Sequence, residues 1–74
     1  MTEKNNDDKD MQDISNELIK AREKAGFSQE ELSIRMGKSL NAVIRLEGGK
    51  GNPRLDTLRR YATATGTKMK VVFE

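Results

Sequence analysis

The sequence predicts a small, mainly α-helical domain of four helices followed by one C-terminal β-strand. Apolar residues recur at helical spacing in four segments, glycines stand after these segments, and the last residues change to a two-residue alternation. The chain has 74 residues, enough for one domain that buries a limited fraction of its surface. We therefore expect one domain that dimerisation or a partner would stabilise further.

The composition argues against an enzyme. The chain has no cysteine and no histidine, so disulfides, thiolate metal sites and imidazole catalysis are excluded. No apolar run approaches the roughly 20 residues that span a bilayer, and the polar N-terminus lacks the apolar core of a signal peptide. We expect a cytoplasmic, non-enzymatic protein with no cofactor, no metal and no membrane partner.

Charge is distributed unevenly along the chain. Residues 1–13 hold five acids and two bases, giving −3, whereas residues 14–74 hold seven acids and twelve bases, giving +5. Residues 1–10 contain no apolar side chain beyond Met1, which predicts a disordered acidic tail. The remaining chain is predicted to be a basic folded domain over residues 11–66 and a strand over residues 67–74.

The first helix is predicted to start near Met11 and to end at Gly26. One apolar face repeats every three or four residues between these positions. Its members are Met11, Ile14, Leu18, Ala21 and Ala25.

The second predicted helix runs from about Gln29 to Met36. Ser28 and Glu31 have the spacing of a capping box, in which each side chain bonds the other's backbone amide. Gly37 follows where a helix commonly ends in a left-handed residue. Ser33 is small enough to allow another helix to cross closely.

The third predicted helix runs from about Leu40 to Glu47 and is capped by Ser39. Its Val43 and Leu46 lie three apart and can pack back on the apolar face of the second helix. The two helices can therefore share one small core.

The segment from Gly48 to Arg54 is predicted to be a loop because of its glycines and Pro53. A fourth helix is predicted from Leu55 up to Gly66. The alternation after Gly66 predicts a strand with Met69, Val71 and Phe73 on one apolar face and Val72 on the other face, and all four are expected in the dimer strand.

Three segments, AREKAGFSQEELSIRMG, NAVIRLEGGKGNP and LDTLRRYATATG, together resemble the Cro/repressor-type (XRE-like) helix-turn-helix family across about residues 14–66. The C-terminal strand is similar to that of antitoxin members of the HigA and HipB kinds. The resemblance implies that strands from two subunits pair across a dimer.

The resemblance implies that the N-terminal part of the third helix faces base edges in DNA. The corresponding positions are Ser39, Leu40, Asn41, Ile44 and Arg45. Asn41 suits adenine and Arg45 suits guanine, whereas Leu40 departs from the usual glutamine and could only contact a thymine methyl group. The alternative interpretation is that this face is simply exposed to solvent.

Contacts to the DNA backbone are expected from a second set of residues, Gln29, Lys38, Lys50, Asn52 and Arg54. The basic residues among them could instead be ordinary solubilising charges. In the family, an arginine late in the first helix pairs with the glutamate that ends the third helix. Arg22 and Glu47 occupy these positions, and we expect a structural ion pair. Arg54 replaces the usual serine before the fourth helix and should leave that helix without a side-chain cap.

The sequence therefore favours a homodimeric repressor that reads two half-sites of a palindromic double-stranded operator, about 34 Å apart. By resemblance, we expect it to be the antitoxin of a toxin-antitoxin pair that represses its own operon, with a toxin as a second partner. Two alternatives stay open. One is a regulator without a toxin, and the other is a protein-interaction module that neutralises a partner with little DNA binding.

Overall fold

The computed structural model describes the backbone of residues 3–73 and the side chains of residues 10–73. The described residues form four helices: α1 (Glu3–Ala25), α2 (Gln29–Met36), α3 (Leu40–Glu47) and α4 (Leu55–Ala64). α2 packs against both α3 and α4, and α1 packs against α3 and α4. The mainly α-helical fold of four helices is confirmed.

The core lies between α2, α3 and α4. It is formed by the side chains of Leu32, Met36, Val43, Leu46 and Tyr61, all of them buried. Four half-buried side chains pack around it, from Leu18, Phe27, Leu58 and Ala64. Burial of these groups supplies the main favourable term for folding.

Local hydrogen bonds set the ends of α2 as predicted. The Ser28 hydroxyl accepts from the Glu31 amide at 3.0 Å, and the Glu31 carboxylate accepts from the Ser28 amide at 2.8 Å. Gly37 ends the helix with φ +68°, in the left-handed region that glycine adopts without strain. The predicted bounds of α2 are therefore confirmed.

Ser39 begins α3 by accepting a hydrogen bond from the Ala42 amide at 3.1 Å. By contrast, α4 follows Arg54 with no side-chain cap hydrogen bond, as the arginine in place of serine predicts. The fourth helix thus starts without the amide bonded to a side-chain cap that the second and third helices have.

The start of α1 differs from the prediction. Backbone helix begins at Glu3, whereas the sequence predicted a disordered tail over residues 1–10 and a helix from near Met11. A helix N-terminus favours negative charge, and this segment is acidic, which explains why a stretch without apolar residues can continue a helix. Residues 1 and 2 lie outside the described part of the chain.

The predicted C-terminal strand is absent from the described residues 3–73, and residues 67–73 have no regular secondary structure. A strand needs the backbone hydrogen bonds of a neighbouring strand, and residues 3–73 of a single copy offer none. Glu74 lies outside the described residues. No helix in the described part is long and apolar enough to cross a membrane.

Candidate nucleic-acid interface

The outer face of α3 presents three of the five predicted base-reading residues to solvent. Asn41 and Arg45 are exposed, and Ile44 is 45% exposed. The opposite face is held in the core by Val43 and Leu46. Packing on one side therefore fixes the orientation of the polar and basic side chains on the other.

The other two predicted base-reading residues are partly engaged with the protein. The exposed Ser39 uses its hydroxyl oxygen as the cap of α3, which leaves the hydroxyl hydrogen free to donate. Leu40 is half-buried, so only part of its side chain is accessible. Asn41 and Arg45 are consequently the best-placed groups on α3 for hydrogen bonds to an outside partner.

Four of the five predicted phosphate-contacting residues, Lys38, Lys50, Asn52 and Arg54, are exposed in the structure. The α3–α4 loop that carries three of them lies beside α3. A Cβ atom added to Gly51, which has φ +77°, would lie 3.6 Å from Nη2 of Arg45. The guanidinium of Arg45 thus extends over the loop, and the loop and the end of α3 together form one basic surface.

Gln29, the fifth predicted phosphate contact, is partly engaged inside the protein. Its Nε2 donates to Oε1 of Glu47 at 3.0 Å, and the residue is half-buried. The amide oxygen and the second Nε2 hydrogen are not used by this bond. Any contact of Gln29 with a phosphate would have to use these remaining groups or the backbone amide at the start of α2.

Arg22, near the end of α1, forms an ion pair with Glu47, the last residue of α3. Nε of Arg22 donates to Oε2 of Glu47 at 2.8 Å, and Nη2 donates to Oε1 at 3.0 Å, which is a bidentate geometry. The Arg22 Nη1 also donates to the Phe27 carbonyl oxygen at 2.9 Å. The arginine therefore fastens the end of α1 to both α3 and the α1–α2 turn.

Glu47 also accepts a hydrogen bond from the Tyr61 hydroxyl at 2.6 Å. Together with the bonds from Arg22 and Gln29, one carboxylate joins a residue of each of the four helices. Glu47 is only 7% exposed. A buried charge is tolerated when it is paired and its oxygens are bonded, as they are here.

The protonation behaviour of Glu47 follows from these contacts. Burial raises the pKa of the Glu47 carboxyl, but the hydrogen bonds from Arg22, Tyr61 and Gln29 outweigh burial and hold that pKa below its usual range. Burial and the neighbouring carboxylate raise the pKa of Tyr61. The carboxylate is therefore charged and the phenol neutral around pH 7.

Two partners of Glu47, Gln29 and Tyr61, were not assigned to it by sequence reasoning. Tyr61 lies in the predicted fourth helix, and no local sequence pattern indicates where its hydroxyl bonds. A buried tyrosine hydroxyl normally has a hydrogen-bond partner, and that rule was the available signal. The hydroxyl reaches both Glu47 and the Leu18 carbonyl oxygen, the latter at 2.8 Å.

Comparison with known proteins places this arrangement in a family. The helix-turn-helix family profile matches residues 18–72. The chain is 34% identical over 56 residues to an uncharacterised HTH-type transcriptional regulator of Haemophilus influenzae, and this match covers 76% of the chain and 57% of that protein. It is 37% identical over 57 residues to the antitoxin HigA1 of Mycobacterium tuberculosis, which covers 77% of the chain and 38% of that protein.

The chain thus spans only part of the length of these two relatives. No solved structure matches it significantly. The family profile nevertheless covers the last third of α1, all of α2, α3 and α4, and most of the C-terminal segment. The chain therefore belongs to the Cro/C1-type helix-turn-helix family.

Proposed function

We propose that this protein is a sequence-specific DNA-binding transcriptional repressor. The observation that carries the proposal is the exposed face of α3, which presents Asn41, Ile44 and Arg45, with Arg45 beside the basic α3–α4 loop. Family membership supports it, because the second helix of a helix-turn-helix enters the major groove.

In this proposal α3 reads bases and its surroundings hold the DNA backbone. Arg45 donates to a guanine and Asn41 bonds an adenine, while Ile44 contacts a thymine methyl group. Lys38, Lys50 and Arg54 neutralise phosphates, and Asn52 donates to one. The hydrogen bonds from Arg22, Gln29 and Tyr61 to the buried Glu47 hold α3 in position, so that α3 needs little further ordering when it binds DNA.

The protein would act as a homodimer on a palindromic operator. Val71, Val72 and Phe73 are 59%, 63% and 94% exposed, and Met69 is half-buried. An exposed apolar segment with unpaired backbone groups is suited to pairing with its equivalent in a second copy. Two recognition helices about 34 Å apart would then read two half-sites, which a single domain of this size could not distinguish in a genome.

We further propose that the repressor is the antitoxin of a toxin-antitoxin pair. The similarity to HigA1 supports this role. The similarity to an HTH-type transcriptional regulator keeps a regulator without a toxin as the second candidate. A gene for a small toxin-like protein next to this one, whose product co-purifies with the chain, would favour the antitoxin. A chain that purifies alone from its native host would favour the second candidate.

The proposal is tested by selecting binding sites from a pool of randomised duplexes with the full chain. A twofold-symmetric consensus is expected, and affinity for it should fall steeply as the salt concentration rises, because phosphate contacts release counterions. Recovery of no consensus would overturn sequence-specific repression. Weak binding with little salt dependence would instead favour a protein-interaction module.

A further inference from the structure

A second basic surface lies on α2 and α4, apart from the residues assigned to DNA. The side chains of Arg35, Arg59 and Arg60 line a shallow cavity of about 250 Å³, together with Asp56 and Thr63. We call this the α2–α4 arginine surface. None of the residues predicted to contact bases or phosphates lines it.

The three guanidinium groups are held in different ways. Cζ of Arg35 lies 4.1 Å from the centroid of the Phe27 ring, a cation–π geometry that keeps the guanidinium in place. Nη1 of Arg60 donates to the Met36 carbonyl oxygen at the long distance of 3.5 Å. Arg59 is exposed. Across residues 10–73, none of the three arginines forms an ion pair.

Their positive charge is only partly balanced locally. Asp56 lines the cavity, and Glu31, one turn before Arg35, is bonded to the Ser28 amide and also interacts electrostatically with Arg35, so two carboxylates stand against three guanidinium groups. Three guanidinium groups around one cavity repel one another unless an anion joins them. Surface solubility alone does not need arginine, whose planar fork suits bidentate binding of anions.

The position of the surface favours carboxylates of a protein over the backbone of a duplex. The cavity has room for one or two acidic side chains, and none of the residues assigned to DNA contact lines it. Arginine beside an aromatic ring is typical of protein interfaces. We propose that the α2–α4 arginine surface binds an acidic segment, rich in Asp and Glu, of a partner protein. This inference goes beyond DNA binding and does not depend on it.

The test uses hexaglutamate as the probe and the isotope-labelled full chain, observed by NMR in about 0.1 M salt, where surface charges are partly screened. The peptide should shift the backbone amides of Arg35 and of residues 56–64. The double variant R35Q/R59Q should bind the peptide about fivefold more weakly, because two surface charge contacts are lost. The double variant K20Q/K24Q removes the same charge from the exposed face of α1 and should bind like the original chain.

Because Arg35 contacts Phe27, the double variant R35Q/R59Q could unfold, and the single variant R59Q is therefore measured as well. R59Q should lose about half as much affinity for the peptide as the double variant, on a logarithmic scale. The proposal is overturned if the shifts map instead to α3 and its following loop, or if R59Q and K20Q/K24Q weaken binding equally. A duplex of unrelated sequence that shifts residues 56–64 more strongly than hexaglutamate would assign the surface to nucleic acid. Operator binding by R59Q, measured in parallel, reports separately on the proposed repressor function.

Discussion

The hydroxyl of Tyr61 donates to Oε2 of Glu47 at 2.6 Å and thereby joins α4 to the end of α3. The same carboxylate accepts from Arg22 on α1 and Gln29 on α2. α3 is thus anchored at its C-terminal end by polar contacts with every other helix. Its N-terminal part, which carries Asn41, points away from this anchor and remains free for a partner.

Replacing Arg22 by alanine should destabilise the folded protein in the absence of DNA. The change leaves the buried Glu47 carboxylate with only Tyr61 and Gln29 as partners, and breaking a buried ion pair costs about 3 to 5 kcal/mol. Thermal unfolding of the free protein measures the effect. The exposed Lys24 on the same helix provides the control, since Lys24→Ala should leave Tm nearly unchanged. An unchanged Tm in Arg22→Ala would refute the structural role of the pair.

Replacing Tyr61 by phenylalanine should lower the free energy of unfolding by about 1.5 to 3 kcal/mol, the range for a hydrogen bond to a charged group. The ring remains in the core, so the change removes only the hydroxyl, whose one hydrogen is shared between Oε2 of Glu47 and the Leu18 carbonyl oxygen. Urea denaturation is the appropriate measurement. A loss below about 0.5 kcal/mol, typical of surface substitutions, would show that the hydroxyl does not hold α4 to α3.

Stability should fall as the pH drops below about 4.5, the ordinary pKa of Glu47. Its folded-state pKa is lower than this value, so its contribution is fully present above the unfolded-state pKa and is lost as pH falls through the folded-state pKa. The pKa of Glu31 is also held down by the Ser28 amide and adds to the trend. The variant Glu47→Gln should be less stable near pH 7 and should show a shallower decline in acid. Equal slopes for the two proteins would exclude Glu47 as the titrating group.

Deletion of residues 68–74 should shift the protein toward monomer and weaken operator binding, because the segment that we propose to pair across the dimer is removed. Sedimentation of the full and shortened chains measures the assembly state directly. Substituting Lys68 and Lys70 by glutamine, which keeps the apolar residues, is the matched control and should preserve the dimer. If the shortened chain stays dimeric, the subunits associate through another surface.

The parts of the fold that local chemistry determines could be predicted from the sequence. Ser28, Gly37 and Ser39 set the helix ends within a few residues of themselves, and the bounds of α2 and α3 were predicted correctly. The bond between Gln29 and Glu47 depends on residues 18 apart in sequence, and no local pattern signals it. The C-terminal strand was predicted from alternation alone, but a strand also needs a neighbouring strand to bond, and residues 3–73 contain none.

The sequence-based prediction placed the start of α1 near Met11 and not at Glu3, for a related reason. The prediction equated the lack of apolar residues before Met11 with disorder, whereas the structure continues the helix to Glu3. Helix continuation requires backbone bonds and a favourable end charge but no apolar face. By contrast, the positions of Arg22 and Glu47 came from the family resemblance, and the structure brings the two together.

The central claim is that α3 reads base pairs, and Arg45→Ala tests it most directly. Affinities of this variant and of the original chain would be measured for the selected operator and for versions with each base pair changed singly. We predict a loss of about 1 to 3 kcal/mol for Arg45→Ala and loss of discrimination at one position in each half-site. If Arg45→Ala binds every duplex more weakly by the same factor and keeps all base preferences, the claim is contradicted and Arg45 contacts only phosphate.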